Sequence, residues 1–195
     1  MSLEVRKKLG LRVPANKPAS KFTVLKEYIK TNRIVNGRSA EEIAELPDLK
    51  DERVIMGQRM LEMLLLCTIQ AQPTLFPIVA FMGVQASVKH GINDSCTTVF
   101  SSFGFLLCGI FGQLKRGREM ANVVELILEK PGMKHKKSQG IFGLEVIKIW
   151  GSPLQASLRP FLEGYQIGLD IGDVEAAGSN LAWRGVVLWF AGRPL

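Results

Sequence analysis

Gly91-Ile92-Asn93-Asp94-Ser95 is followed, thirteen residues after its glycine, by Gly104-Phe105-Leu106-Leu107-Cys108. The same thirteen-residue step separates Gly172-Asp173-Val174-Glu175-Ala176 from Gly185-Val186-Val187-Leu188-Trp189. In each copy a glycine breaks the chain and an acidic or amide residue can cap a new helix. A second glycine then sits inside that helix, ahead of an apolar cluster. The copies start 81 residues apart, close to twice the ~40-residue period of stacked helical hairpins. Stacked hairpins usually bind or couple partners rather than catalyse.

Working outward, the remaining segments also read as helices. Phe22, Leu25, Tyr28 and Ile29 recur at helical spacing, which predicts a first helix over 20–33 with these residues as its apolar face. Ser39-Ala40-Glu41-Glu42 has the capping-box pattern and opens a short helix that ends before Pro47. Asp51 can cap a helix to about Ala71 whose inner end, Leu61 and Met63 to Cys67, is apolar on most sides and therefore expected to be buried all round. Pro73 suits the first turn of the next helix, which runs to His90 and stops at Gly91. Asn93 or Asp94 opens another, to about Gly112, and Arg116 to Glu129 is amphipathic through Met120, Val123, Val124 and Ile127. Lys134 to Trp150 forms the next. Leu154, Leu158, Phe161, Leu162, Tyr165 and Leu169 then share one helical face, kinked or split by Pro160, and Asp173 caps the last helix. No segment alternates as a half-buried strand does. The expectation is an all-α protein of about 8–9 helices, a right-handed solenoid of helical hairpins. It spans residues 20–195, is truncated at its C-terminal end, and follows a basic flexible linker over residues 1–19.

Of the 195 residues, 47% are hydrophobic and 22% charged, an ordinary folded composition. The net charge of +7 is unevenly placed: residues 1–38 hold ten Lys/Arg against two Asp/Glu, and residues 39–195 fifteen against sixteen. A near-neutral body argues against a nucleic-acid groove, which needs cations spread along one face. Cys67, Cys96 and Cys108 form no Cys-x-x-Cys pair and read as buried reduced thiols of a cytoplasmic protein. Met63 to Val88 and Ser95 to Leu114 carry no charge over 26 and 20 residues. A small integral membrane protein with spans near 63–88 and 95–114 is therefore an alternative. Gln70, Gln72, Pro73 and Thr74 interrupt the first stretch, and hydroxyls and glycines the second, so the main expectation is no membrane.

Neither a phosphate-cradling Gly-x-x-x-x-Gly-Lys-Ser/Thr nor a dinucleotide Gly-x-Gly-x-x-Gly occurs, and no kinase Asp-Phe-Gly or His-Arg-Asp. No catalytic, cofactor-binding or metal-binding residue is expected. Of the two histidines, His90 falls in a last helical turn and His135 at a solvated helix start. Asp173 and Glu175 are better explained as a cap and a first-turn anion than, with Asp170, as metal ligands. Trp150, Trp183 and Trp189 read as core, and truncating Trp189 is expected to destabilise the domain while Arg118→Ala is not. A ligand-binding sensor with a pocket near Trp150, Tyr165 and Trp183 is a second alternative.

The order of segments resembles a known arrangement. Its marks are Gly37-Arg38-Ser39-x-Glu41-Glu42, Leu46-Pro47-Asp48-Leu49-x-Asp51, Leu75-Phe76-Pro77, Lys89-His90-Gly91, Trp150-x-x-Pro153-Leu154 and Glu163-Gly164-Tyr165-Gln166-x-Gly168-Leu169-Asp170-x-Gly172-Asp173. Together they resemble the tetratricopeptide-like helical region of very large multidomain signalling proteins. In that family an ATPase domain precedes the region, a GAF sensor and a histidine kinase or other output follow, and a serine/threonine-kinase-like domain often leads the chain. The resemblance covers about residues 8–195. It implies a non-catalytic interaction and coupling module, a fragment of the larger architecture, whose partners are proteins or neighbouring domains. The family's catalytic residues lie in domains that have no counterpart here. The last helix carries more apolar surface than one neighbour can cover, so Leu181, Trp183, Val186, Val187 and Phe190 are expected to form an interaction patch and to drive self-association.

Overall fold

Short polar side chains cap the starts of several helices. Ser20 Oγ accepts the Thr23 amide at 3.1 Å and opens α1, Lys21–Val35. Ser39 and Glu42 exchange the two bonds of a capping box, at 3.2 and 2.9 Å, on the short α2, Ala40–Ala44. Asp51 Oδ1 accepts the Arg53 and Val54 amides and opens α3, Glu52–Ala71. Each bond satisfies an amide that the first helical turn leaves without a partner. The computed structural model describes residues 20–192; the expected linker over 1–19 and the terminal Arg193-Pro194-Leu195 lie outside them. Among the described residues there are nine α-helices, two short 3-10 segments and no strand. They divide into two compact units, one up to Val99 and one from Phe100.

In the first unit α4, Phe76–His90, is the buried centre, with α1 and α3 packed on it. Phe76 to Phe81, Gly83, Val84 and Ser87 are all buried. Tyr28 of α1 meets Phe81 with ring centroids 6.1 Å apart. Polar groups stitch the same helices: Gln85 Nε2 donates to Glu27 and to Thr31 at 3.0 and 2.9 Å. Thr98 Oγ1 donates to the buried Glu62 at 2.8 Å. Gly91 ends α4 at φ 112°. Beyond it, Ile92 pairs in parallel with the Pro47–Leu49 segment through two backbone bonds of 2.9 Å.

The unit division falls inside α5, Cys96–Gly109. Then come α6, Leu114–Leu128; a 3-10 turn, Met133–Lys136; α7, Lys137–Lys148; a second 3-10 turn, Leu154–Ser157; α8, Leu158–Ile171; and α9, Val174–Phe190. Packing follows chain order: α6 on α7, α7 on α8, α8 on α9, and α9 also on α7. Val146, Phe161 and Val187 form a core cluster, with Phe142 and Trp183 against it. Lys148 Nζ bridges α6 to α7 through Glu125 at 2.7 Å, with Glu145 at 3.6 Å. Burial pulls the Lys148 ammonium pKa down, but the two carboxylates outweigh it and hold it above the ordinary lysine value.

Several expectations change. The end of α3 is not buried all round, for Met63, Leu66, Cys67 and Ile69 face solvent while Leu61, Leu65 and Thr68 face inward. The α4 helix begins at Phe76 with Pro77, not Pro73, in its first turn. The chain restarts before Pro160, which takes the first turn of α8, where a missing amide costs no helical bond. The expected face of α8 is partly exposed at Leu162 and Leu169, and its buried stripe is Phe161, Gly164 and Gly168. In α1 the buried stripe is Tyr28, Thr31 and Val35, which leaves Phe22, Leu25 and Ile29 outside. Arg118, expected to be unengaged, donates to the Gly151 carbonyl.

Candidate interaction surface

Asp173 accepts the Ala176 amide at 3.0 Å and starts α9. The residues that follow split by size. Ala176, Ala177 and Asn180 are buried, together with Val187 and Leu188. They face α8, where glycines allow close approach: a Cβ on Gly164 would lie 2.4 Å from Asn180 Oδ1, and one on Gly168 2.9 Å from the Ala177 amide nitrogen. Asn180 Nδ2 donates to the Ser138 carbonyl at 3.1 Å and to Ala176 at 2.9 Å, and Ser138 Oγ donates to the Gly164 carbonyl at 2.8 Å. A seam of small and polar side chains thus joins α7, α8 and α9.

Because small residues take the inner face of α9, large ones turn outward. Val174, Leu181, Val186, Trp189 and Phe190 are exposed by 71, 44, 40, 71 and 66%. The Trp189 and Phe190 rings meet at 4.9 Å between centroids, tilted by 60°. Of the five residues expected to form the patch, Leu181, Val186 and Phe190 lie on this face. Val187 does not: it is buried in the core cluster. Trp183 is only partly exposed and sets its ring edge on Phe142 at 6.1 Å. Val174 and Trp189 belong to the face and were missed; Val174-Gly178-Leu181-Gly185-Trp189, at steps of four, three, four and four, is the stripe that marks it. Trp189 is therefore not core. We expect Trp189→Ala to change the unfolding free energy by no more than about 0.5 kcal/mol, measured by urea denaturation; a loss near the cost of a buried tryptophan would contradict its exposed position.

Cys96 is buried, donates its thiol to Ser87 Oγ at 3.2 Å, and has its pKa pushed up to about 11 by burial. Burial also raises the Cys108 pKa. A nucleophilic thiol needs the opposite shift. Cys67 is exposed, against expectation. His90 is the last residue of α4, and His135 Nδ1 lies 3.0 Å from the Gly132 carbonyl oxygen. Among the described residues no three His, Cys, Asp or Glu side chains gather as a metal site. Trp150 lies half-exposed against Phe105. An open depression of about 550 Å3 lies not beside it but along α1. One helix among the described residues, Glu52–Ala71, is long and apolar enough to cross a membrane by length and composition.

No protein-family model, curated protein or solved structure matches this chain.

Proposed function

We propose that this chain is a non-catalytic interaction and coupling module. It is of the tetratricopeptide-like hairpin type and akin to the helical region between the ATPase and sensor-kinase parts of multidomain signalling proteins. One observation carries the reading: α9 is seated on α7 and α8 by its small residues while Leu181, Val186, Trp189 and Phe190 stand in solvent. A helix apolar on two sides suits an array in which each helix packs on the one before and offers a face to the next. The return of α9 to α7 fits the packing of consecutive hairpins. Such a stack couples its neighbours by flexing, and its exposed face takes a protein partner or a second copy of itself.

The test is sedimentation velocity of the full chain across the micromolar range. We expect mass to rise with concentration, and Trp189→Glu combined with Phe190→Glu to restore a monomer with unchanged helical content. A wild-type monomer at every concentration, or a double variant that associates as the wild type does, refutes the α9 surface.

A further inference from the structure

We propose that α1 is a surface-lying anchor that seats the protein on an anionic lipid membrane. The proposal stands on a different helix from the α9 reading and does not depend on it. Phe22, Leu25 and Ile29, at offsets 0, 3 and 7, form one stripe exposed by 76, 49 and 42%. Tyr28, Thr31 and Val35, also at offsets 0, 3 and 7, form the stripe buried on α4, and a start six residues later sets the two stripes about 120° apart around one helix. Cations edge the outer stripe. Lys26, Lys30 and Arg33, four, eight and eleven residues beyond Phe22, run along one border, and Lys21 stands on the other; all four are exposed. The single anion of the helix, Glu27, accepts a bond from Gln85 of α4 at 3.0 Å and lies only at the edge of ion-pair range from Lys30, at 4.0 Å.

This pattern selects an occupant. A second copy meeting α1 face to face brings four more cations against these four, and like charges at close range oppose that contact. A neutral helix of another protein covers the apolar stripe but leaves the bordering cations unanswered. An anionic bilayer surface answers both parts. The stripe enters the boundary between headgroups and acyl chains, and lysine and arginine stems reach along it to place their charges among phosphates and carboxylates. Charge in the preceding sequence has the same sign: residues 1–19 hold five Lys/Arg and one Glu. Basic residues next to an anionic surface add attraction that decays over a Debye length, so the binding is salt-sensitive. The helix lies on the surface and does not span it; at 15 residues it is shorter than the ~20 a span requires.

The experiment is co-sedimentation of the full chain with vesicles of phosphatidylcholine alone and of phosphatidylcholine with phosphatidylserine. We expect at least about tenfold tighter association with the phosphatidylserine vesicles, lost at high salt. Leu25→Glu with Ile29→Glu, and separately Lys26→Glu with Lys30→Glu, are each expected to remove about tenfold or more. All four positions are exposed, and unchanged circular dichroism confirms folding. Leu66→Glu, on the exposed side of α3, is expected to leave vesicle binding intact and controls for general stickiness. Equal binding to both vesicles overturns the proposal. So does no binding to either, loss through Leu66→Glu but not through the α1 variants, or capture of an acidic protein by α1 without any vesicle binding.

Discussion

Gly91→Ala is expected to lower the stability of the unit up to Val99 by about 3 kcal/mol or more. Two costs combine. The backbone at Gly91, φ 112° and ψ 178°, lies in a region that side-chain-bearing residues essentially never occupy. A Cβ there would also stand 2.3 Å from the Pro47 carbonyl oxygen, which is backbone and cannot rotate away. That oxygen accepts the Ile92 amide, so relief of the clash breaks the pairing of Ile92 with the Pro47–Leu49 segment. Gly37→Ala is the control: its φ is 85°, but nothing lies within 4 Å of the added methyl. About 1 kcal/mol is expected there, from backbone conformation alone. All three tryptophans, at 150, 183 and 189, lie outside this unit, so hydrogen exchange in α4 during urea titration is the measurement. Equal losses for the two variants would show that the close approach to Pro47 contributes nothing.

Gly168→Ala and Gly178→Ala, ten residues apart on the packed helices α8 and α9, are expected to act with opposite sign. At Gly168 the new methyl meets Ser138 Oγ at 2.7 Å, Ala177 Cβ at 2.8 Å and the Ala177 amide at 2.9 Å. Ser138 cannot yield without losing its bond to the Gly164 carbonyl and disturbing Asn180. The helices must separate, at a cost of about 2–3 kcal/mol. Gly178 sits in the exposed interior of α9 with nothing within 4 Å, and alanine there is expected to add about 0.5–1 kcal/mol by helix propensity. Tryptophan fluorescence during urea unfolding follows both, since Trp183 packs on the core cluster of this unit. A shift of the same sign in the two variants would place the α8–α9 contact elsewhere.

Several helix starts and stops were legible along the chain. Ser39 with Glu42, Asp51 and Asp173 cap where their spacing said they would, and Gly91 and Gly172 end α4 and α8 at positive φ. These are contacts within about four residues, so the chemistry that decides them is written side by side. The all-helical class follows from the same signals. The resemblance to a signalling solenoid rests on motif order, and it remains the basis of a proposal.

Which face turns inward was legible in α6, where Met120, Val123, Val124 and Ile127 are all buried, but not in α1 or α9, and the interaction surface depends on that choice. In α1 the more hydrophobic stripe, Phe22, Leu25 and Ile29, lost the interior to Tyr28, Thr31 and Val35, because α4 offers Phe81 and Gln85 as partners. In α9, Ala176, Ala177 and Asn180 took the inner face because Gly164 and Gly168 bring α8 too close for anything larger. Trp189 and Phe190 were left outside by the same geometry, and Val187 was drawn in beside Phe161. Apolar periodicity marks a helix as two-sided or one-sided, but it weights side chains by size and hydrophobicity. Burial is awarded by the shape of the neighbour, which comes from residues dozens of positions away, and at close glycine contacts that shape favours the small over the apolar.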